Sequence, residues 1–290
     1  IARGKDSLAA NTTGATNVAV GSSTLQINIT GSYNTALGHE SLKTNTAAEN
    51  TAVGYRSLYL NTSGAENVAL GERALTANTT ASNNTALGRV SMFSNTTGAN
   101  NTAVGNNSLR SNTTASNNTA VGKSALYANT TGTENTAIGT SALSVNITTN
   151  GQTAVGYDAL KSNVGNYNTA VGVRAQQVAG GAGNNTAVGY EALKVNASSA
   201  ANTAVGMYAL TANTTASNNT AVGYSALTAN TTAGNNTAIG YNAGSAVTTG
   251  VSNTFIGRDS GYSTTTGGYS AIVGQACRPD ASGSNYAMGM

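Results

Sequence analysis

One cysteine, one histidine, one proline and no tryptophan occur in 290 residues, and only 8% of the chain is charged. Each scarcity excludes something. A lone Cys277 cannot close an internal disulfide, so it reads as an idle thiol. With one histidine and ten scattered acids, the side chains that build metal sites, catalytic dyads and nucleophile triads are nearly missing. The composition therefore predicts no enzyme, no metal and no cofactor. Thirteen bases against ten acids leave a formal charge of +3 spread thinly, so no nucleic-acid partner is expected. No run of 18 apolar residues occurs, so no membrane span is expected, and Ile1 does not open a basic-then-apolar signal peptide.

What fills the chain is Thr (45), Asn (39) and Gly (35), arranged in a repeat. The pentapeptide Asn-Thr-Ala-Val-Gly and its variants end at Gly21, Gly38, Gly54, Gly71, Gly88, Gly105, Gly122, Gly139, Gly156, Gly172, Gly189, Gly206, Gly223, Gly240, Gly257 and Gly274, a spacing of 17 that twice shortens to 16. Counted from the first Asn, the unit is N-T-A-V-G-x-x-A-L-x-x-N-T-T-x-x-N. It is least disturbed between Asn118 and Glu134. Helical repeats need about 33 residues and leucine-rich units at least about 20, whereas a shorter unit suits one coil of a β-solenoid. The predicted fold is thus all-β, a parallel β-solenoid of about 17 turns of 17 residues, continuous over residues 1–274. Residues 275–290 read as an irregular turn and a final partial repeat. At about 4.8 Å per turn this predicts a rod of roughly 80 Å.

Two columns read as core. Column four is apolar in every unit, as at Val104, Val121, Val155, Val188 and Val222. Column nine is nearly as strict, with Leu109, Leu126, Leu160, Leu193 and Leu227, and fails only at Gln176, Gly244 and Gly261. Two strands per turn are expected, with the column-two Thr half-buried on the face of column four by strand alternation. Asn at columns one and twelve should form amide ladders between turns. Their many glycosylation sequons, such as Asn78-Thr79-Thr80, then read as structural, because glycans on successive turns would collide.

Column three should point away from column four, and in a solitary solenoid that face would be polar. It is instead Ala103, Ala120, Ala137, Ala154, Ala187, Ala204, Ala221 and their equivalents, ending in Phe255 and Ile272. This predicts an interchain stripe at which neighbouring backbones approach, with the gap widening toward Phe255 and Ile272. One Val and one Leu per turn is little core for seventeen ordered residues, so a homotrimer around one axis is expected.

Variation concentrates in columns six, seven, ten and eleven, the expected solvent face. Tyr55, Tyr157, Tyr190, Tyr208, Tyr224 and Tyr241 lie there as candidate contacts to a glycan or protein receptor, with Tyr59, Phe93 and Tyr127 in column ten. His39 with Glu40 reads as a solvated pair. Asp158 and Glu191, two turns apart, approach the separation of glycosidase carboxylates but should be solvated. Neither the aspartates of a calcium-binding β-roll nor a phosphate-binding glycine loop is present. A bulge or wider loop is expected over Gln176–Gly181, and a departure from the roll over Cys277-Arg278-Pro279-Asp280.

The NTAVG...AL...NTTG...NNTAVG pattern resembles the repeats of phage-type tail fibres, the kind often followed by an intramolecular chaperone, and is similar to trimeric autotransporter adhesin heads. The resemblance runs from Gly4 to Gly289. It implies a left-handed β-roll wound as a trimer, an extracellular place on a virion or cell surface, and a role in spacing and presenting an attachment site. Autotransporter head units are a few residues shorter, and the Asn-Thr-Thr-Ala-Ser segment that fills the difference favours the fibre type. The chain begins and ends within a repeat, which predicts a segment of a longer fibre, joined to flanking fibre domains, or a filament subunit stacked end to end with further copies. An ice-binding solenoid is the remaining alternative. It is weakened because the column-two Thr reads as facing inward and because the loop varies at Ala47, Gly165 and Ser198, which spoils a flat array.

Overall fold

The computed structural model describes residues 1–181 and 183–277. It is an all-β parallel solenoid that divides into two compact units, Ile1–Asn150 and Gly151–Met290. Both are built from the same repeat. In the first unit each turn after the two-residue strand Ala2–Arg3 contributes one three-residue strand, such as Thr102–Val104 and Thr119–Val121, paired parallel and in register: Thr102 with Thr119, Ala103 with Ala120, Val104 with Val121. The second unit continues the pattern, as in Thr203–Val205 beside Thr220–Val222. Register is fixed by the repeat itself, because a slip of one residue would turn every side chain over.

After each strand the chain turns a tight corner at column five. Gly122 sits at φ +129°, and a Cβ there would lie 2.6 Å from the carbonyl oxygen of Gly139 on the next turn. Only glycine meets both conditions. Column nine follows in the left-handed region, with Leu126 at φ 50° and Leu160 at φ 49°, a conformation unfavourable for leucine. Burial supplies the compensation. Leu109, Leu126, Leu160, Leu193 and Leu227 are all fully buried, as the column pattern predicted. These leucines lie in turns and not in a second strand. The N–H of Leu126 nevertheless donates to the Ala142 carbonyl of the next turn, at 3.0 Å, so the ladder of hydrogen bonds continues through the corner.

The strand faces the opposite way from the sequence expectation. Ala103, Ala120, Ala137, Ala154, Ala187, Ala204 and Ala221 have no exposed surface within one chain, so they line the lumen and do not form an interchain stripe. Val104, Val121, Val155, Val188 and Val222 are only half-buried, and they point outward with the column-two threonines. The reason is steric. A 17-residue turn encloses a narrow lumen that accepts one large side chain per turn, the Leu of column nine, and the strand opposite must present its smallest residue.

The C-terminal turns show this constraint directly. Where Leu gives way to Gly244 and Gly261, Ala gives way to Phe255, which is fully buried. A Cβ built on Gly261 would lie 2.2 Å from Phe255 Cδ1, and one on Gly244 would lie 2.7 Å from Cδ2. Phe255 and the buried Ile272 therefore fill the lumen and do not mark a widening gap between chains. Over Gln176–Gly181 no bulge forms at the strand residues. Val178–Ala179 pairs parallel with Ser162–Asn163 and Val195–Asn196, giving a second short sheet. Gln176 takes the Leu position, fully buried, and its amide donates to Asn168 Oδ1 at 3.3 Å. Cys277 accepts a hydrogen bond from Gly261 N–H at its carbonyl. The expectations for Arg278, Pro279, Asp280 and the partial repeat lie outside the described residues.

The Asn ladders stand as predicted. The N–H of Asn101 donates to Asn84 Oδ1 (3.0 Å), its side-chain amide donates to the Ala115 carbonyl (2.9 Å), and its Oδ1 accepts from Asn118 N–H (2.9 Å). In column twelve, Asn78 is fully buried and its Nδ2 donates to Asn61 Oδ1 and the Ala81 carbonyl at 2.8 and 2.9 Å. Its sequon is thus consumed by folding. Amide ladders and one leucine per turn form the interior.

The lumen constraint predicts a compensating pair. Phe255→Ala should cost about 3–5 kcal/mol by cavity formation, and Gly261→Leu alone should also destabilise by steric conflict with the ring. The double change restores the ordinary Ala/Leu turn, and Gly261 already lies in the left-handed region, at φ +65° beside the 49–53° of the leucines elsewhere in column nine. Denaturant melts should show it closer to the parent than either single variant.

Candidate binding surface

Three exposed features flank one another on each turn. The first is the outward strand face of columns two and four. Leu37, Leu70, Ile138, Ile239 and Val273 on it are 41–48% exposed, and half-exposed Thr and Val continue it from turn to turn within each unit. Such a continuous apolar strip is unusual on a protein surface that meets only water.

The second feature is the margin that follows the glycine corner, columns six and seven. All six predicted tyrosines lie on it. Tyr190, Tyr208, Tyr224 and Tyr241 form one run, with ring centroids 5.5, 6.1 and 5.2 Å apart in succession. Tyr224 and Tyr241 are stacked with planes 10° apart, while Tyr208 meets Tyr190 and Tyr224 edge-on, so the run is a continuous aromatic strip. Tyr157, 47% exposed, stands apart from the run, and Tyr55 lies in the first unit, stacked on His39 at 5.7 Å with Arg56 and Arg73 over its ring at 5.2 and 6.0 Å.

Three acids of column seven, Glu40, Asp158 and Glu191, are buried and not solvated. Glu40 bridges Lys43 Nζ at 2.7 Å and Arg56 Nε at 2.6 Å, with exposed His39 at 3.8 Å. Glu191 pairs with Lys194 (2.9 Å) and Arg174 (3.3 Å), and Asp158 with Lys161 (3.2 Å). The two carboxylates weighed as a glycosidase pair are thus held in separate ion pairs. Hydrogen bonds from Lys43, then Arg56, hold the Glu40 carboxyl below its ordinary value of 4.5, and those from Lys194 and Arg174 lower Glu191. In column ten, Arg110 lies over Phe93 and Tyr127 at 5.7 and 5.6 Å, and Arg56 over Tyr59 at 5.2 Å.

The third feature is the opposite margin, column seventeen, just before the column-one Asn. Sequence reading passed over it. It carries Tyr33, Tyr167 and Tyr269, which are 62–64% exposed, and the exposed Glu49, Glu66 and Glu134. The signal available was the alternation of Asn, Glu and Tyr at a position otherwise bound to a left-handed φ near 60°. Among the described residues no cluster of three or more His, Cys, Asp or Glu is placed to hold a metal, and no helix is long and apolar enough to cross a membrane. Among the described residues, Asp259, Tyr262 and Ala276 line a shallow depression.

Compared with protein-family models, curated proteins and solved structures, the chain matches none.

Because the Glu40 pKa is lowered by folding, its contribution to stability is present above about pH 4.5 and is lost as pH falls through the folded value. The melting temperature of the parent should therefore fall more steeply below that pH than that of Glu40→Gln. Parallel curves would show that the bridge contributes nothing.

Proposed function

We propose that the chain is a structural and attachment element of an extracellular fibre, working as a homotrimer whose copies cover one another's outward strand faces. The observation that carries this reading is the continuous half-exposed Val/Leu/Ile and Thr strip, a surface that water alone serves poorly. It replaces the alanine stripe as the interchain face. A closed ring of copies buries the same strip on every subunit, and the resemblance to trimeric fibres sets the number at three. The aromatic and cationic residues of column ten, with Tyr59, Phe93 and Tyr127 beside Arg56 and Arg110, remain outward for contact with a surface receptor. Threefold presentation multiplies weak contacts.

Light scattering on the purified protein should give three times the chain mass of 28.7 kDa. Val121→Lys, at a half-exposed position, should shift the particle toward the monomer while leaving the β-sheet circular dichroism signal intact. A parent protein that stays folded at the single-chain mass overturns the reading.

A second reading gains from the same correction. The threonines of column two face outward in register, as Thr102 does with Thr119, so a flat array of hydroxyls and methyls repeats at about 4.8 Å. Such an array suits an ice-binding solenoid, and the objection that these threonines point inward falls away. Thermal hysteresis at micromolar concentration would support this reading, and its absence would remove it. A trimer that covers the face is incompatible with it.

A further inference from the structure

The two margins that border the outward face differ in charge within the first unit. On the leading margin, Glu49, Glu66 and Glu134 are exposed, and none has an ion-pair partner among the described residues. On the trailing margin Glu40 is already paired with Lys43 and Arg56, and Glu72 with Arg89 at 3.3 Å, while Asp6 of the first turn is exposed without an ion pair among the described residues. Beyond that first turn, what remains there is cationic. Arg73 is exposed with its guanidinium over the Tyr55 ring at 6.0 Å, Lys123 is exposed, and neither has an ion-pair partner among the described residues. Arg73 lies on the same turn as Glu66, and Lys123 one turn before Glu134.

These residues cannot satisfy each other within one chain. Glu66 and Arg73 lie at opposite ends of a strand face, with the six residues Asn67 to Glu72 between them, at most about 23 Å of extended chain. They fit across a boundary between copies. We propose that neighbouring copies pack parallel and level, so that the leading margin of one meets the trailing margin of the next, Glu66 facing the neighbour's Arg73 and Glu134 lying near its Lys123. This rests on the homotrimeric reading and specifies its direction and register.

A cyclic axis along the solenoid brings unlike margins together, whereas an antiparallel pair brings leading margin to leading margin and sets Glu against Glu or Tyr. Like charges opposed in this way disfavour the second arrangement.

The test uses the full chain with Cys277→Ser as background. Glu66→Cys combined with Arg73→Cys should oxidise to a covalent trimer on a denaturing gel, since the two positions in one chain are too far apart to bridge. Glu66→Cys alone should give no covalent dimer. Separately, Glu66→Arg or Arg73→Glu should each move dissociation on dilution to roughly tenfold higher protein concentration, because the change is made three times around the axis, and the double swap should restore the parent value. A stable trimer in which the cysteine pair does not cross-link, or in which the double swap fails to rescue, overturns the parallel arrangement and leaves the trimer standing. A dimer of Glu66→Cys chains indicates antiparallel packing. A parent protein that is monomeric overturns both.

Discussion

The width of the lumen governs the rest of this structure. A turn of 17 residues leaves room for one large side chain, and the left-handed leucine of column nine takes it. The facing strand must then offer alanine inward, which forces threonine and valine outward by alternation. From that single steric limit come the buried Ala103 to Ala221 series, the half-exposed Val104 to Val222 series, and an exterior that is apolar along its strands. Phe255 is the exception that shows the limit at work, because it enters the alanine column only where Gly244 and Gly261 have vacated the leucine column.

The remaining interior is polar, and amides hold it. Buried asparagines are costly unless their donors and acceptors are met. Here identical residues on successive turns meet one another's needs, as Asn84, Asn101 and Asn118 do through backbone N–H to Oδ1 contacts of 2.9–3.0 Å. The repeat period is thereby under chemical and steric control together. The ladders also explain why so many sequons occur in a chain whose asparagine side chains face inward.

Much of this was legible in the sequence. The period, the parallel register, the leucine column and both amide ladders follow from spacing and residue type. Which way the strand faces did not, because alternation establishes only that columns two and four share a side, and the larger residue was assigned to the inside. The repeat itself carried the contrary sign: Phe255 replaces Ala in a turn that also loses its Leu, at Gly261, so those two columns share one volume and column four lies outside it. The acidic and tyrosine-bearing margin went unnoticed because its residues vary, and single variable positions gain meaning only when a fold places them opposite something.

The placement of these columns can be read with a single thiol. In a Cys277→Ser background, Ala103→Cys and Val104→Cys differ by one residue and should behave oppositely toward a maleimide in native buffer. The cysteine at 103 should stay unreactive at every dilution until the protein unfolds, while the one at 104 should be protected at high protein concentration and become reactive on dilution with the fold intact. Labelling at 103 before 104 would contradict the account, since it would put the alanine column outside and the valine column within.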